Sequence, residues 1–284
     1  MTIRFKTLAC AALLLAAAVP AGAALRVLAC EPEWGALAQA LGGAQLDVAL
    51  ATNGLQDPHQ VQARPSLIAR ARNAQLLVCT GAELEIGWLP VLLQQSGNPV
   101  VQPGQPGNFA AADFVRKLEV PTVLDRSQGD VHAAGNPHIQ TDPRNIALVA
   151  EPLARRLAEL DPANASVYQA RSADFLARWK VAIQRWDKEA APLRGVPVVV
   201  QHKAFPYLQQ WLGLVEVAVL EPKPGVEPTS AHLSAVLAGL QAKPAKMILR
   251  AAYNDGRGAD WLAERTKLPI VVLPFTVGGN EQAR

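Results

Sequence analysis

Short apolar runs alternate with helical segments through almost the whole chain, and this alternation narrows the possible folds more than any other feature. The apolar runs lie at 25–30, 46–50 and 74–79, and again at 196–201, 215–220, 245–250 and 268–274. Buried strands that alternate with helices are typical of parallel sheets covered on both faces. We therefore predict an α/β fold of two lobes, each a parallel sheet flanked by helices.

The connections in the first half are less regular. The run 98–102 and the segment 120–125 predict further short strands, whereas "QPGQPGN" at 102–108 is rich in turn residues and predicts a loop. A helix is expected to begin near Pro65 and another to be interrupted near Pro90.

A stretch without glycine before Gly195 separates the two halves. Asp161 is a suitable N-cap and Pro162 a suitable first-turn residue, and aromatic residues follow at helical spacing. One helix over 161–195 would be on the order of 45 Å long and would limit movement between the lobes. Two shorter helices are the alternative. The predicted domains are a lobe at 24–160, a linking helix at 161–195 and a lobe at 196–284.

The N-terminus has the features of a secretory signal peptide. Arg4 and Lys6 precede an apolar run too short to span a bilayer, and small residues follow up to Ala23. Residues 1–23 are therefore expected to be removed, Cys10 with them, and the product to be a soluble periplasmic protein. Cleavage lowers the formal net charge from +3 to +1, which gives no support for nucleic-acid binding.

Two cysteines remain after cleavage, each near the end of a predicted strand. Cys30 and Cys79 could form a disulfide in an oxidising compartment if their strands are neighbours. Two separate buried thiols are equally compatible with the spacing, because spacing alone does not fix connectivity.

Three of the five histidines come from loops that can face one crevice. His59 follows the strand at 46–50, His138 precedes a helix that begins at "TDPRN", and His202 lies at the carboxyl end of the strand at 196–201. Ligands of open α/β sheets bind at the carboxyl ends of strands. Three imidazoles at such positions predict a metal site, and imidazole suits zinc.

The residues before two of these histidines restrict the backbone. Pro58 and Pro137 each fix one dihedral directly before His59 and His138. A lone histidine in such a loop is usually an ordinary polar residue. His132 is interpreted in that way, with an auxiliary metal site as the alternative, and His232 as a surface or core residue of a helix.

Several motifs together resemble a known family. D-P-H at 57–59, N-P-H with D-P-R-N at 136–145, and H-x-A-F-x-Y at 202–207 are similar to motifs of the periplasmic solute-binding proteins of zinc and manganese ABC importers. The resemblance extends over nearly the whole mature chain. It implies two lobes joined by one long helix, with His59, His138 and His202 as metal ligands, and a membrane permease as partner.

The resemblance also implies which metal is bound. Manganese-type members commonly replace the third histidine by a carboxylate, so His202 favours zinc, with manganese the less favoured ligand. We expect a monomer without enzymatic activity. A zinc-dependent hydrolase and a receptor for a metal chelate are the alternative functions, because three histidines with an open position also occur in catalytic zinc sites.

The chain departs from the family pattern in three places. Val277 stands where a carboxylate ligand is common, so a water, Asp57 or Asp255 is left as the fourth ligand. Only His132 represents the histidine-rich loop of many zinc-type members. The family usually has a closing helix after the last strand, so the sequence is expected to be incomplete at its C-terminus. Glu85 is interpreted either as an acceptor for a ligand imidazole or as a helix cap.

Overall fold

The computed structural model describes residues 23–122, 129 and 132–283. The predicted signal peptide, apart from Ala23, lies outside the described residues. Two four-stranded parallel sheets flanked by helices confirm the predicted α/β fold. Among the described residues, no helix is both long enough and apolar enough to cross a membrane.

The first sheet contains β1 (Leu25–Ala29), β2 (Leu46–Leu50), β3 (Leu76–Cys79) and β4 (Asn108–Ala110), in the order β2-β1-β3-β4. Its helices are α1 (Pro32–Gly42), α2 (Pro65–Asn73) and α3 (Leu89–Ser96). Alternate strand residues face opposite sides. Val27 and Val78 pack with α1 on one face, whereas Leu28 and Leu77 pack towards α2 and α3 on the other.

The second sheet repeats this arrangement. It contains β5 (Pro197–Val200), β6 (Val215–Val219), β7 (Met247–Ala251) and β8 (Ile270–Leu273), in the order β6-β5-β7-β8. Its helices are α6 (Pro206–Leu212), α7 (Ser230–Ala242) and α8 (Arg257–Thr266). In both sheets the first strand lies inside the sheet, and later strands are added first on one side of it and then on the other. Open α/β sheets form a ligand crevice where the strand order reverses in this way.

Two long helices follow the first sheet in the chain and precede the second. They are α4 (Pro143–Leu160) and α5 (Ala165–Glu189). At 1.5 Å per residue α5 is about 37 Å long, which is shorter than the helix predicted over 161–195. Separate 3₁₀ turns at Pro162–Asn164 and Ala191–Leu193 flank it. Pro192 has no N–H for a helical bond, so the α-helix ends before it.

The N-cap predicted at Asp161 is not formed. Its carboxylate instead accepts hydrogen bonds from the Tyr168 hydroxyl at 2.6 Å and from the Asn164 amide at 2.8 Å. These bonds hold the turn between α4 and α5 against the buried face of α5.

Two predicted strands are not found among the described residues. The run 98–102 forms a 3₁₀ turn at Pro99–Val101, because the Asn98 side chain accepts from the Val100 N–H at 3.0 Å. Residues 120–122 are not in a strand, and the rest of the predicted segment 120–125 lies outside the described residues. The sheet instead gains β4, which begins at the end of the predicted loop.

A disulfide joins Cys30 and Cys79. Cys79 ends β3 and Cys30 directly follows β1, and these two strands are paired. The pairing of neighbouring strands brings the Cα atoms to 4.7 Å, so the question that the sequence left open is answered by the sheet order.

Candidate metal centre

The His59 ring is oriented by the residue two positions before it. Asp57 Oδ1 accepts a hydrogen bond from the His59 backbone N–H at 3.0 Å and lies 2.8 Å from the Nδ1 atom of its ring. The side chain of Asp57 thus closes a local turn across Pro58, a pattern common to Asp and Asn. The Trp88 indole N–H also donates to the Pro58 carbonyl at 2.9 Å, which ties this loop to α3.

The loop before α4 uses the same local geometry. Asn136 Oδ1 accepts from the His138 backbone N–H at 3.0 Å and lies 2.9 Å from its Nδ1 atom. The Asn136 amide nitrogen donates to the carbonyl of Lys203 at 2.9 Å, so the turn also contacts the second lobe. His138 is only 1% exposed.

His202 is held by a partner from a neighbouring strand connection. It lies two residues after the end of the buried strand β5, and its Nδ1 atom lies 2.7 Å from Glu221 Oε2, just beyond β6. The Gly225 backbone N–H donates to the same carboxylate oxygen at 2.9 Å. Because β5 and β6 are paired, their carboxyl ends place these side chains next to each other.

The three histidines converge. Their ring centroids are 5.3–5.7 Å apart, and one ring nitrogen from each lies within 4.8 Å of the other two. The Nε2 atoms of His59, His138 and His202 are buried and have no hydrogen-bond partner within the described part of the chain. Since each Nδ1 faces an oxygen, the N–H of each ring belongs on Nδ1, and each Nε2 presents its lone pair.

Burial favours the neutral imidazole that can bind a cation. It lowers the pKa of His138 well below its usual value, and the neighbouring rings of His59, His202 and His132 lower it further. For Asp57, burial raises the pKa, but the hydrogen bonds and charge of His59 outweigh this and lower it below its ordinary value. The pKa of Asp57 therefore favours its ionised form.

The other two histidines differ in their relation to this cluster. The His132 ring stacks on His59 with centroids 5.4 Å apart and is 6.5 Å from the His138 ring, so it lies beside the cluster and outside the group of converging nitrogens. His232 belongs to α7, and its Nε2 lies 3.0 Å from the Val219 carbonyl. His232 is thus a structural residue.

The residues considered for a fourth metal ligand have different surroundings. Asp57 directs one oxygen to His59, and Asp255 pairs with Arg257 at 2.8 Å. Neither belongs to the group of converging ligand atoms. After β8 the chain places Phe275 against His138, with ring centroids 5.4 Å apart, whereas Val277 lines a groove elsewhere.

Glu85 has neither of its two predicted roles. Its carboxylate accepts from the backbone N–H groups of Thr80 at 2.7 Å and Gly81 at 3.1 Å, so it supports the turn after β3. It also lies with Cys30 and Cys79 in a group with metal-ligand spacing. The disulfide removes both thiolates, so this group does not offer the ligands that a metal needs.

Sequence reasoning missed Glu221 as a partner of His202 and did not assign Asp57 and Asn136 as partners of their histidines. The sequence did contain a signal for Asp57 and Asn136, because an Asp or Asn, a proline and a histidine occur in that order twice. Glu221 lies 19 residues from His202 and is recognisable only once β5 and β6 are known to be adjacent.

Comparison with known proteins identifies relatives over most of the chain. The family model described as ZnuA, zinc-uptake complex component A, periplasmic, matches residues 27–283. The chain is 26% identical to the high-affinity zinc uptake system protein ZnuA of Paracoccus denitrificans, over 82% of this chain and 78% of that protein. It is 23% identical to the metal ABC transporter substrate-binding lipoprotein SloC of Streptococcus mutans, over 78% of this chain and 71% of that protein.

The chain is also similar to proteins named for manganese transport and to solved structures. The manganese ABC transporter substrate-binding lipoprotein PsaA of Streptococcus anginosus is 20% identical over 93% of this chain and 84% of its own length. A crystal structure of ZnuA shares the fold with a TM-score of 0.75 and 22% identity, covering 90% of this chain and 92% of that one. A ZnuA deletion mutant with zinc bound has a TM-score of 0.73 and 23% identity, with 89% and 90% covered.

Proposed function

Because this chain belongs to the ZnuA family of periplasmic components of metal-uptake complexes, we propose that it captures Zn²⁺ with His59, His138 and His202. Members of this family are metal-binding solute receptors of ABC importers and not enzymes, so the hydrolase alternative does not apply. The proposed task is to deliver the cation to the membrane permease of such an importer.

One observation carries the proposal. Three buried Nε2 atoms without a hydrogen-bond partner among the described residues lie close together, while the Nδ1 atom of each ring faces an oxygen. Buried polar atoms without partners are rare because each costs free energy. A divalent cation bound to the three lone pairs would satisfy all three at once. The oxygens behind the rings fix the orientation that such a cation needs.

The type of ligand favours zinc over manganese. Imidazole suits zinc, whereas carboxylates and carbonyl oxygens suit manganese. The group of converging ligand atoms found in the described residues contains three imidazoles and no carboxylate. Relatives named for zinc and for manganese occur at similar identity, so the argument for zinc comes from the ligands of this chain. A water is the proposed fourth ligand, because Asp57 is committed to His59 and Asp255 to Arg257.

The remaining assignments follow the same proposal. Relatives of this chain are periplasmic proteins or lipoproteins. We place the mature protein in the periplasm, exported by the signal peptide at 1–23, and assign it as a monomer. The proposed domains are 24–160 and 196–284, joined by the segment 161–195 that contains α5.

Calorimetric titration of the mature protein with Zn²⁺ tests the proposal. We expect one Zn²⁺ per chain. His202→Ala should weaken binding by at least about 100-fold, since loss of an outer partner alone typically costs 10–100-fold. Mn²⁺ should bind more weakly than Zn²⁺ to the unsubstituted protein.

His232→Ala is the matched control, because it also removes one imidazole from the second lobe but leaves the cluster intact. It should bind Zn²⁺ like the parent protein. Absence of Zn²⁺ binding by the parent, or equal losses in the two variants, would contradict the proposal.

A further inference from the structure

A cavity on one side of the three histidines is lined by carboxylates. It has a volume of about 120 Å³, and the imidazoles of His59 and His202 lie at its inner end. We call it the acidic cavity and define it by its four carboxylates, Asp57, Glu221, Glu227 and Asp255. Two basic residues are close in sequence, Lys223 and Arg257, but neither lines it.

The four carboxylates differ in their distance from the histidine rings. Glu227 and Asp255 form the outer end, where Glu227 is exposed and the Asp255 side chain is 39% exposed. Asp57 and Glu221 lie 2.8 Å and 2.7 Å from the Nδ1 atoms of His59 and His202, and their side chains are 37% and 11% exposed. Arg257 pairs with Asp255 but extends into solvent, with 83% of its side chain exposed. Carboxylates therefore continue from the surface to the rings.

The inner end of the acidic cavity points to a cation independently of its carboxylates. The His202 side chain is only 8% exposed, and its Nε2 atom has no hydrogen-bond partner in the described part of the chain. An unprotonated imidazole nitrogen is a ligand for a metal cation. His202 thus lines the acidic cavity and also belongs to the group of converging nitrogens.

The cavity on the other side of the histidines has a different electrostatic character. It has a volume of about 180 Å³ and is lined by His132, His138, His202, Lys203 and Glu119. The Lys203 ammonium group lies 2.7 Å from the Glu119 carboxylate, so the charge of this acid is balanced by a base in the same lining. This side offers a divalent cation no comparable attraction.

We infer that the cation reaches the three imidazoles through the acidic cavity, and that Glu227 and Asp255 at its outer end increase the rate of capture. This inference rests on the proposed function, because it assumes that the imidazoles bind the cation. A cleft lined by one sign of charge raises the local concentration of the opposite ion and its association rate. Glu227 and Asp255 act on the rate of arrival, whereas the histidines determine retention.

Stopped-flow mixing of the mature protein with Zn²⁺ measures this rate. Tryptophan fluorescence reports it through Trp88, whose indole N–H contacts the His59 loop. Co²⁺ absorption provides a second signal that does not depend on tryptophan. For the double variant Glu227→Gln/Asp255→Asn we expect association at low ionic strength to be roughly three- to tenfold slower. The difference should disappear in 0.5 M salt, and the dissociation rate should change by less than about twofold.

The matched control is Glu151→Gln/Glu264→Gln, which changes the net charge equally at two exposed carboxylates outside the acidic cavity. It should associate like the parent. Equal slowing of both double variants, or no slowing of either, overturns the route. Faster Zn²⁺ dissociation from Glu227→Gln/Asp255→Asn at an unchanged association rate also overturns the route, because it would make Asp255 a ligand. A parent protein that binds no Zn²⁺ overturns the proposed function together with the route.

Discussion

Asp57 and Asn136 orient their histidines through the same contacts, but they differ in charge. Each accepts from the backbone and faces the ring of the histidine two residues later. Asp57 and Glu221 carry carboxylates behind their rings, and Asn136 carries a neutral amide. The two carboxylates behind the rings match the charge of one divalent cation, which supports the proposal of a single Zn²⁺.

Glu221 gives a test at this scale, because its carboxylate lies 2.7 Å from the Nδ1 atom of His202. Glu221→Ala leaves the His202 Nδ1 atom without its acceptor, so Zn²⁺ affinity should fall about 10–100-fold. Glu221→Gln keeps an acceptor oxygen and should therefore lose less Zn²⁺ affinity than the alanine variant. Competition with a chelator of known affinity measures both, and Asp174→Asn, an exposed carboxylate on α5, serves as the control. Equal affinity of the alanine variant and the parent would contradict a role of Glu221 in orienting the ring.

The three histidines could be proposed as ligands from the sequence, because each lies next to a recognisable feature. His202 ends an apolar strand, and prolines mark the loops of His59 and His138. Their proximity could be inferred only from the rule that ligands bind at the carboxyl ends of strands. Glu221 could not be found in this way, since its contact depends on the order of strands within the sheet.

At the scale of elements, the apolar strands were predicted well and the short segments near α3 were not. β2 has the predicted bounds, Leu46–Leu50, because an apolar run between two polar segments is a clear signal. The run 98–102 is also apolar, but the side chain of Asn98 bonds to the backbone and favours a tight turn. β4 has three residues and is formed by pairing with β3, which local sequence does not reveal.

The turn after β3 brings three buried carboxylates together, Glu31, Glu33 and Glu85. Burial raises the pKa of Glu33 and of Glu85 to about 7, and it also raises that of Glu31, to which the charge of Glu85 contributes. A carboxyl whose folded-state pKa is raised binds protons more tightly than in the unfolded chain. Its stabilising contribution is complete below the unfolded pKa and is lost as pH rises through about 7.

Glu85→Gln imitates the protonated carboxyl at every pH, so it should remove part of this loss. We expect the variant to gain stability relative to the parent as pH rises from 5 to 8, by on the order of 2 kcal/mol. Urea unfolding at several pH values measures the difference. Glu159→Gln, on the exposed face of α4, should show no such trend. A constant difference between the Glu85 variant and the parent across this range would contradict the raised pKa.

At the scale of the whole molecule, the two halves share one strand order, and this symmetry positions the site. The carboxyl ends of the two sheets lie close enough that the rings of His59 and His202, from different lobes, are 5.7 Å apart. Hydrogen bonds connect the lobes directly. The Tyr207 hydroxyl donates to the Asn136 carbonyl at 2.7 Å, and the Glu33 N–H donates to Thr276 Oγ1 at 3.1 Å. Limited movement between the lobes stays a prediction that these contacts and α5 support.

The whole-molecule arrangement was predictable as far as the repeat of strands and helices extends. The alternation of apolar runs implied two parallel sheets, and the glycine-free segment implied a long helix. The end of α5 at Glu189 was less predictable, because Pro192 is compatible with a kink as well as with a stop. The contacts between the lobes depend on side chains such as Tyr207 that meet only in the folded protein.

The central claim is that one Zn²⁺ binds the Nε2 atoms of three histidines that come from both lobes. A crystal structure of the mature protein with one equivalent of Zn²⁺, with anomalous diffraction at the zinc edge, tests it most directly. We predict one strong anomalous peak about 2.0–2.1 Å from the Nε2 atoms of His59, His138 and His202. A peak bound by fewer than these three rings, or one bound through Nδ1, would contradict the claim.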